Sequence, residues 1–135
     1  MKFLTTSPSP SARLAATCAV EWTVLTPELV RERFTEAAIY ENRLSTPTIA
    51  KGPEKIYRVL DDDRTRTDRV EGTLLDIAES GDVVLLERDQ MTYLKTGKSG
   101  MVPVMDSFQF RGNQISAWRE YWDLATLTDH TDESF

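Results

Sequence analysis

The sequence predicts an α+β fold in which N-terminal helices pack against an antiparallel β-sheet that curls around them. Up to about residue 63, apolar residues recur at spacings of three and four, which is typical of helices with one buried face. From residue 67 onward the spacing becomes two, as in half-buried strands, and glycine-containing turns separate the segments. Because the strands follow the helices instead of alternating with them, the pattern favours α+β over α/β.

The composition limits the class of protein. The chain has 135 residues, 40% hydrophobic and 28% charged, with a net charge of -6. A chain of this length buries roughly two thirds of its surface, enough for one domain with a small-molecule pocket. The acidic balance and the lack of a Lys/Arg cluster argue against nucleic-acid binding, and no apolar run approaches the ~20 residues of a membrane span.

The single cysteine, Cys18, excludes an internal disulfide, and the single histidine, His130, argues against a histidine-based metal site. We therefore expect no metal, no cofactor and a location in the cytoplasm. Residues 1–9 are expected to be a disordered lead, because serines, threonines and prolines interrupt the apolar start that a secretion signal would continue. Residues 10–127 are predicted to form the domain, and residues 128–135 a polar tail.

Three helices are predicted before the sheet. The first begins near Ser11 and buries the stripe Leu14, Ala15, Cys18, Ala19 and Trp22. The second begins at Thr26-Pro27-Glu28, which combines a cap, a first-turn proline and a first-turn acid, and buries Leu29, Val30 and Phe34. The third begins at Gly52-Pro53-Glu54 and buries Ile56, Val59 and Leu60. The acidic run 61–63 is predicted to end it as a solvated helix terminus, in preference to a cation site.

Four strands are predicted at 67–78, 82–93, 101–111 and 114–123, connected by turns at 80–81, 96–100 and 111–113. On the second segment, Arg88 and Gln90 share one face. On the third, Asp106 lies in a row with the apolar residues Val102, Val104, Phe108 and Phe110. Folding the hairpin about Lys98 places Asp106 opposite Gln90 and Phe108 opposite Arg88. Charged residues on an apolar face either form a buried ion pair that fixes the register or meet a substrate.

Two further segments favour function. Glu120 lies between Trp118 and Trp122 on one strand face, an aromatic setting that should raise the pKa of the carboxyl group. Tyr40 and Asn42 follow the second helix and lie on the same side if that segment is extended. Together with Arg88, these groups are expected to hold a water molecule.

Several segments resemble the limonene-1,2-epoxide hydrolase family. They are Tyr40-x-Asn42, Glu87-Arg88, Thr96-Gly97-Lys98-Ser99, Phe108-Gln109 and the run from Trp118 to Leu124. The similarity extends from the first helix to about Leu127. The family lies in the nuclear transport factor 2-like superfamily, so the resemblance implies a cone of helices inside a strongly curved antiparallel or mixed sheet. It also implies a homodimer through the outer sheet face.

The resemblance assigns roles to individual residues. Glu120 would be the base that activates water, Tyr40 and Asn42 would position that water, and Arg88 would bridge two carboxylates. Two departures stand out: Glu120 replaces an aspartate, and Gln90 occupies the position of the second carboxylate, which protonates the epoxide oxygen. Because an amide cannot supply that proton, we expect Asp106 to replace it, with Gln90 hydrogen-bonded to Asp106 or to the substrate oxygen.

The sequence therefore predicts an enzyme that adds water to a small or medium-sized apolar epoxide. The expected substrate contacts are Trp22, Leu60, Val102, Val104, Phe108, Trp118 and Trp122. Two alternatives remain: a polyketide or polyether cyclase or a ketosteroid-isomerase-like isomerase on the same fold, and a non-catalytic module for apolar-ligand binding or dimerisation.

Overall fold

A computed structural model describes residues 8–44 and 47–126 of the chain. This part of the chain forms three α-helices, a short 3-10 turn at Trp22–Val24 and one six-stranded sheet. The helices are α1 (Pro10–Val20), α2 (Pro27–Arg33) and α3 (Pro53–Arg66). The strands are β1 (Phe34–Asn42), β2 (Thr48–Lys51), β3 (Thr67–Ser80), β4 (Val83–Leu94), β5 (Ser99–Arg111) and β6 (Gln114–Tyr121).

The helices begin where the sequence provides caps. The Ser9 hydroxyl accepts a hydrogen bond from the backbone N–H of Ala12 at 3.0 Å, and the Thr26 hydroxyl accepts one from Leu29 at 3.2 Å. Each satisfies a backbone donor that the first turn of a helix leaves without a partner. Ser9 also contacts the Glu79 side chain. Ser9 is therefore part of the fold, whereas residues 1–7 of the predicted lead, residue 127 of the predicted domain and the predicted tail 128–135 lie outside the described residues.

The predicted meander is present, and it is extended by two strands that the sequence did not predict. The strand order is β2-β1-β6-β5-β4-β3, with β3 to β6 joined as consecutive antiparallel neighbours. Strand β1 runs parallel to β6 and antiparallel to β2, which makes the sheet mixed. Phe34 was predicted on the second helix but begins β1, because α2 ends at Arg33 and Phe34 is extended and buried. The α+β prediction is confirmed.

The β4–β5 register differs from the predicted one. Gln90 pairs with Val102 instead of Asp106, and Asp106 pairs with Leu86, because the hairpin is centred at Thr96 instead of Lys98. Gly97 has φ +94°, a backbone conformation that glycine adopts without strain. The partner of Gln90 moves by four residues, an even number, so the predicted faces are still correct.

Helix α3 continues past the acidic run that was predicted to end it. Arg64 pairs with Asp61 at 3.0 Å, and Arg66 pairs with Asp63 at 2.6 Å, each one helical turn apart. Arg64 also donates to the backbone carbonyl of Leu25. These contacts neutralise Asp61 and Asp63 and anchor the last turn, so the helix ends at Arg66 instead.

The helices cover the inner face of the sheet, and the core lies between them. Helix α1 approaches closely because its buried face is mainly alanine. At the contact with β3, a Cβ atom added to Gly72 would lie 2.9 Å from Val20 Cγ1, so this position has no room for a side chain. Among the described residues, no helix is long and apolar enough to cross a membrane.

Candidate active site

A cavity of about 50 Å³ lies between α3 and the inner face of the sheet. It is lined by Trp22, Tyr40, Asn42, Leu60, Asp63, Thr67, Arg88, Gln90, Thr92, Val102, Val104, Glu120 and Trp122. A water molecule requires about 10–15 Å³ of such space, so the cavity holds a few waters or a small organic group. Ten of the thirteen predicted site residues line it: Trp22, Tyr40, Asn42, Leu60, Arg88, Gln90, Val102, Val104, Glu120 and Trp122.

The strand register brings the polar residues of the site together. Asn42 on β1 lies beside Glu120 on β6, and Glu120 lies opposite Asp106 on β5. Arg88 on β4 pairs with Val104, so Asp106 lies two residues along β5, at diagonal distance. The three consecutive strands β4 to β6, together with β1 from the start of the sheet, therefore place four polar side chains on one face.

Arg88 links both carboxylates. Its Nε donates to Asp106 Oδ2 at 2.6 Å and its Nη2 to Asp106 Oδ1 at 3.3 Å, while Nη2 lies 3.5 Å from Glu120 Oε1. The Arg88 side chain is 2% exposed and that of Asp106 is 0% exposed. A buried arginine between two carboxylates is the arrangement that the resemblance implies, with Asp106 as one of them.

Asp106 is placed as a counterion and not as a group that meets substrate. Besides the two Arg88 contacts, it accepts a hydrogen bond from Trp118 Nε1 at 3.0 Å. It does not line the cavity. All three donors bind the two carboxyl oxygens, so Asp106 is placed to act as the counterion of Arg88 and not to contact a group in the cavity.

Glu120 lines the cavity and is the less well neutralised of the two. Burial raises its pKa to about 8, with Asp106 and Asp63 adding to the rise, while Arg88 and a hydrogen bond from Tyr40 oppose it. One arginine charge is shared by two carboxylates, and Asp106 has the closer contacts. The neutral form of Glu120 is therefore favoured in the folded protein.

Tyr40 and Asn42 form the neighbouring part of the wall. They are two residues apart on β1, and both side chains are buried on the inner face. Asn42 Oδ1 accepts hydrogen bonds from Tyr40 at 3.5 Å and from Trp122 Nε1 at 3.1 Å. Burial raises the pKa of Tyr40 well above its usual value, and the Glu120 carboxyl group adds to this, so Tyr40 acts as a neutral hydrogen-bond donor.

Gln90 is held firmly in place by its neighbours. Its Oε1 accepts from Arg88 Nη1 and from Trp22 Nε1, both at 2.9 Å, and its Nε2 donates to Thr92 at 3.2 Å. Gln90 does not bond Asp106 through any of these contacts, because the true register places them apart. The amide can orient a substrate oxygen through an N–H, but it has no proton to transfer.

Two predicted substrate contacts belong to the core instead. Phe108 and Trp118 are both 0% exposed and stack on each other with ring centroids 5.1 Å apart. Neither lines the cavity. The inner face of β5 and β6 contributes residues both to the core and to the cavity wall. Phe108 and Trp118 lie on the core part of this face, where Trp118 also packs against the Tyr40 ring.

Asp63 lines the cavity from α3, although the sequence interpretation placed it in a solvated helix end. Its side chain is 25% exposed and pairs with Arg66. Burial raises its pKa, and Arg66 opposes the rise. The signal was the helical spacing, since Ile56, Leu60 and Asp63 follow one stripe.

Among the described residues, no group of three or more His, Cys, Asp or Glu side chains is arranged to hold a metal ion. The chemistry that the site residues themselves provide is proton transfer by carboxyl groups beside a buried arginine.

Comparison with known proteins shows the fold. No protein-family model and no curated protein matches the sequence. Solved structures do match. A hypothetical protein with a ketosteroid isomerase-like fold from Catenulispora acidiphila, in complex with trimethylamine, has 20% identity and a TM-score of 0.79, covering 90% of this chain and 93% of that one.

Two other structures are similar over comparable lengths. An LEH-like epoxide hydrolase from M. tuberculosis has 20% identity and a TM-score of 0.70, covering 90% of this chain and 89% of that one. IdmH, a putative polyketide cyclase from Streptomyces antibioticus, has 16% identity and a TM-score of 0.75, covering 93% and 100%. Likeness at these identities shows a shared fold, and this fold includes enzymes of different reaction types. The chain therefore has the ketosteroid isomerase-like, nuclear transport factor 2-like cone fold.

Proposed function

We propose that the protein opens a small apolar epoxide by direct addition of water, which gives a vicinal diol without a covalent intermediate. The observation that carries the proposal is the convergence of Tyr40, Asn42 and Glu120 in one cavity wall beside Arg88. This wall offers hydrogen-bond partners for a water molecule or for the oxygen of an epoxide. The likeness in fold to the LEH-like epoxide hydrolase from M. tuberculosis supports the same reaction.

The rest of the lining suits an apolar substrate of limited size. Leu60, Val102 and Val104 present aliphatic surface, and Trp22 and Trp122 present aromatic surface. Burial of apolar groups against such surface provides binding free energy. The volume of about 50 Å³ favours short-chain or small cyclic epoxides, and a larger substrate requires the lining side chains to move.

The test is diol formation from a panel of small apolar epoxides. The variant Glu120→Gln keeps the shape of the side chain but removes its ionisable proton, and it should lower the rate at least 100-fold. The matched control is Glu87→Gln, the same exchange at an exposed residue on the outer face of β4, which should stay within twofold of the wild type. Equal rates for all three proteins would refute the role of Glu120.

A second candidate function is a cyclase or isomerase, and the presence of Gln90 where the resemblance expects a carboxylate favours it. Such an enzyme needs one carboxyl group that moves a proton within a single substrate, and it incorporates no oxygen from water. Products that lack solvent oxygen would support this candidate over the hydrolase. Binding of apolar ligands without turnover, unchanged in Glu120→Gln, would instead indicate a binding protein.

A further inference from the structure

Two carboxyl side chains line the cavity among the described residues, and they come from different layers. Glu120 belongs to strand β6 of the sheet, and Asp63 belongs to helix α3, which covers the sheet. The cavity lies between these two elements. A bound substrate would therefore have one carboxyl group on its sheet side and the other on its helix side.

Direct opening of an epoxide requires groups on two sides. Water attacks the ring carbon from the face opposite the breaking C–O bond, so the group that activates water and the group that protonates oxygen stand on opposite sides. Asp106 cannot take either role, because it lies outside the cavity. Asp63 and Glu120 satisfy the requirement.

Hydrogen bonds and exposure distinguish the two carboxyl groups. Arg88 donates two hydrogen bonds to Asp106 and has only one longer contact, at 3.5 Å, with Glu120. Glu120 is therefore less well neutralised, which favours its neutral form. Asp63 has its own cation, Arg66, at 2.6 Å, and a quarter of its side chain is exposed to solvent. Of two carboxyl groups in one site, the more buried one is suited to be the acid and the more solvated one the base.

We propose that Asp63 is the general base that activates water and that Glu120 is the general acid that protonates the epoxide oxygen. This inference rests on the proposed epoxide hydrolysis, and it inverts the role that the resemblance gives to Glu120. It also requires no acid at Gln90, which instead orients the epoxide oxygen together with Tyr40 and Asn42.

The proposed step balances. The oxygen of water forms a bond to one ring carbon while its proton passes to the Asp63 carboxylate. The C–O bond at that carbon breaks, and the ring oxygen takes the proton of the Glu120 carboxyl group. The product is a vicinal diol, and proton exchange with solvent returns the proton from Asp63 to Glu120.

The charged and titratable groups around both residues are few. Glu120 faces Arg88 on β4, Asp106 on β5, Tyr40 on β1 and Asp63 on α3. Asp63 faces Arg66 and Asp62 on its own helix, Glu120 on β6 and Tyr40 on β1. Burial raises the pKa of Glu120 to about 8, so loss of activity above that pH is the expected sign of an acid at this position.

The experiment compares Asp63→Asn with Asp68→Asn, the same exchange at an exposed residue near the start of β3. Asp63→Asn should lower kcat for diol formation at least 100-fold, and Asp68→Asn should stay within twofold of the wild type. Added acetate or formate should restore part of the Asp63→Asn activity, because an external carboxylate can replace a missing base. A residue with a purely structural role would not respond in this way.

The pH profile separates the roles. We expect wild-type kcat to fall as pH rises through about 8, and Asp63→Asn to lose the acidic limb of the profile. Activity that instead rises through pH 8 would assign the base role to Glu120 and overturn the inference. If Asp63→Asn forms diol as fast as the wild type, the inference is overturned but the proposed function is not. Absence of diol from the wild type on every epoxide would overturn the proposed function itself.

Discussion

Removal of the Asp106 carboxylate should destabilise the fold. Asp106→Asn keeps the size of the side chain but leaves Arg88 without its close counterion in a site where both side chains are at most 2% exposed. Removing one partner of a buried ion pair costs about 3–5 kcal/mol, and charge-assisted hydrogen bonds contribute about 1.5–3 kcal/mol each. Glu120 lies 3.5 Å from Arg88 and offsets part of this loss by ionising. We expect a loss of about 3 kcal/mol in the free energy of unfolding.

This loss converts into a measurable melting shift. Unfolding entropy near 60 °C is about 2.1 cal/mol/K per residue, which for 135 residues gives about 0.28 kcal/mol/K. A loss of about 3 kcal/mol therefore lowers Tm by about 11 °C. Urea denaturation monitored by tryptophan fluorescence, together with thermal melts by circular dichroism, measures both quantities.

The matched control is Arg58→Gln, which breaks an ion pair to Glu54 whose side chains are 67% and 87% exposed. Such a pair contributes little, so the control should change the free energy of unfolding by less than about 0.5 kcal/mol. A loss below about 1 kcal/mol for Asp106→Asn would refute the view that Asp106 is the buried counterion of Arg88. A second sign is that the pKa of Glu120 should fall in Asp106→Asn, since the Arg88 charge is no longer shared.

Three further predictions concern stability and assembly. The pKa of Glu120 in the folded state, about 8, exceeds its ordinary value of 4.5, so the folded state holds the proton more tightly than the unfolded state. The free energy of unfolding should therefore fall as pH rises from about 5 to about 8. Urea titrations at several pH values should show a shallower fall for Glu120→Gln, and parallel curves for the two proteins would contradict this. Gly72→Ala should lower the free energy of unfolding by about 1–3 kcal/mol, because the added Cβ would lie 2.9 Å from Val20 Cγ1. An unchanged melting curve would show that α1 moves aside without loss of stability. The outer sheet face exposes four large apolar side chains, and we expect it to form a homodimer: Leu85, Met101, Met105 and Tyr121. Met105→Lys should therefore give monomers in light scattering. A monomeric wild type would refute the dimer.

Much of the fold followed from local signals. Caps at Thr26, a change of spacing near residue 67 and the glycine turns predicted the helices and the meander. The first two strands were not predicted, because β1 follows α2 without a turn residue and β2 has only four residues. Helix α3 was predicted too short, because the neutralising partners of its acids, Arg64 and Arg66, follow them in the chain.

The site followed from strand parity more than from register. The faces of Arg88, Asp106 and Glu120 were predicted correctly, and these residues do meet. Which of them line the cavity depends on how far along each strand the helices reach, and periodicity does not determine that distance. Asp106 and Phe108 therefore proved to be buried, whereas Asp63 faces the cavity.

The central claim, direct addition of water to an epoxide, is tested by a single-turnover reaction in water labelled with oxygen-18. Enzyme in excess over epoxide limits each molecule to its first turnover, and mass spectrometry locates the label in the diol. Direct attack predicts one labelled oxygen in the diol from the first turnover. An unlabelled first-turnover diol would mean that a carboxylate oxygen of the protein attacked first, and the claim would be contradicted.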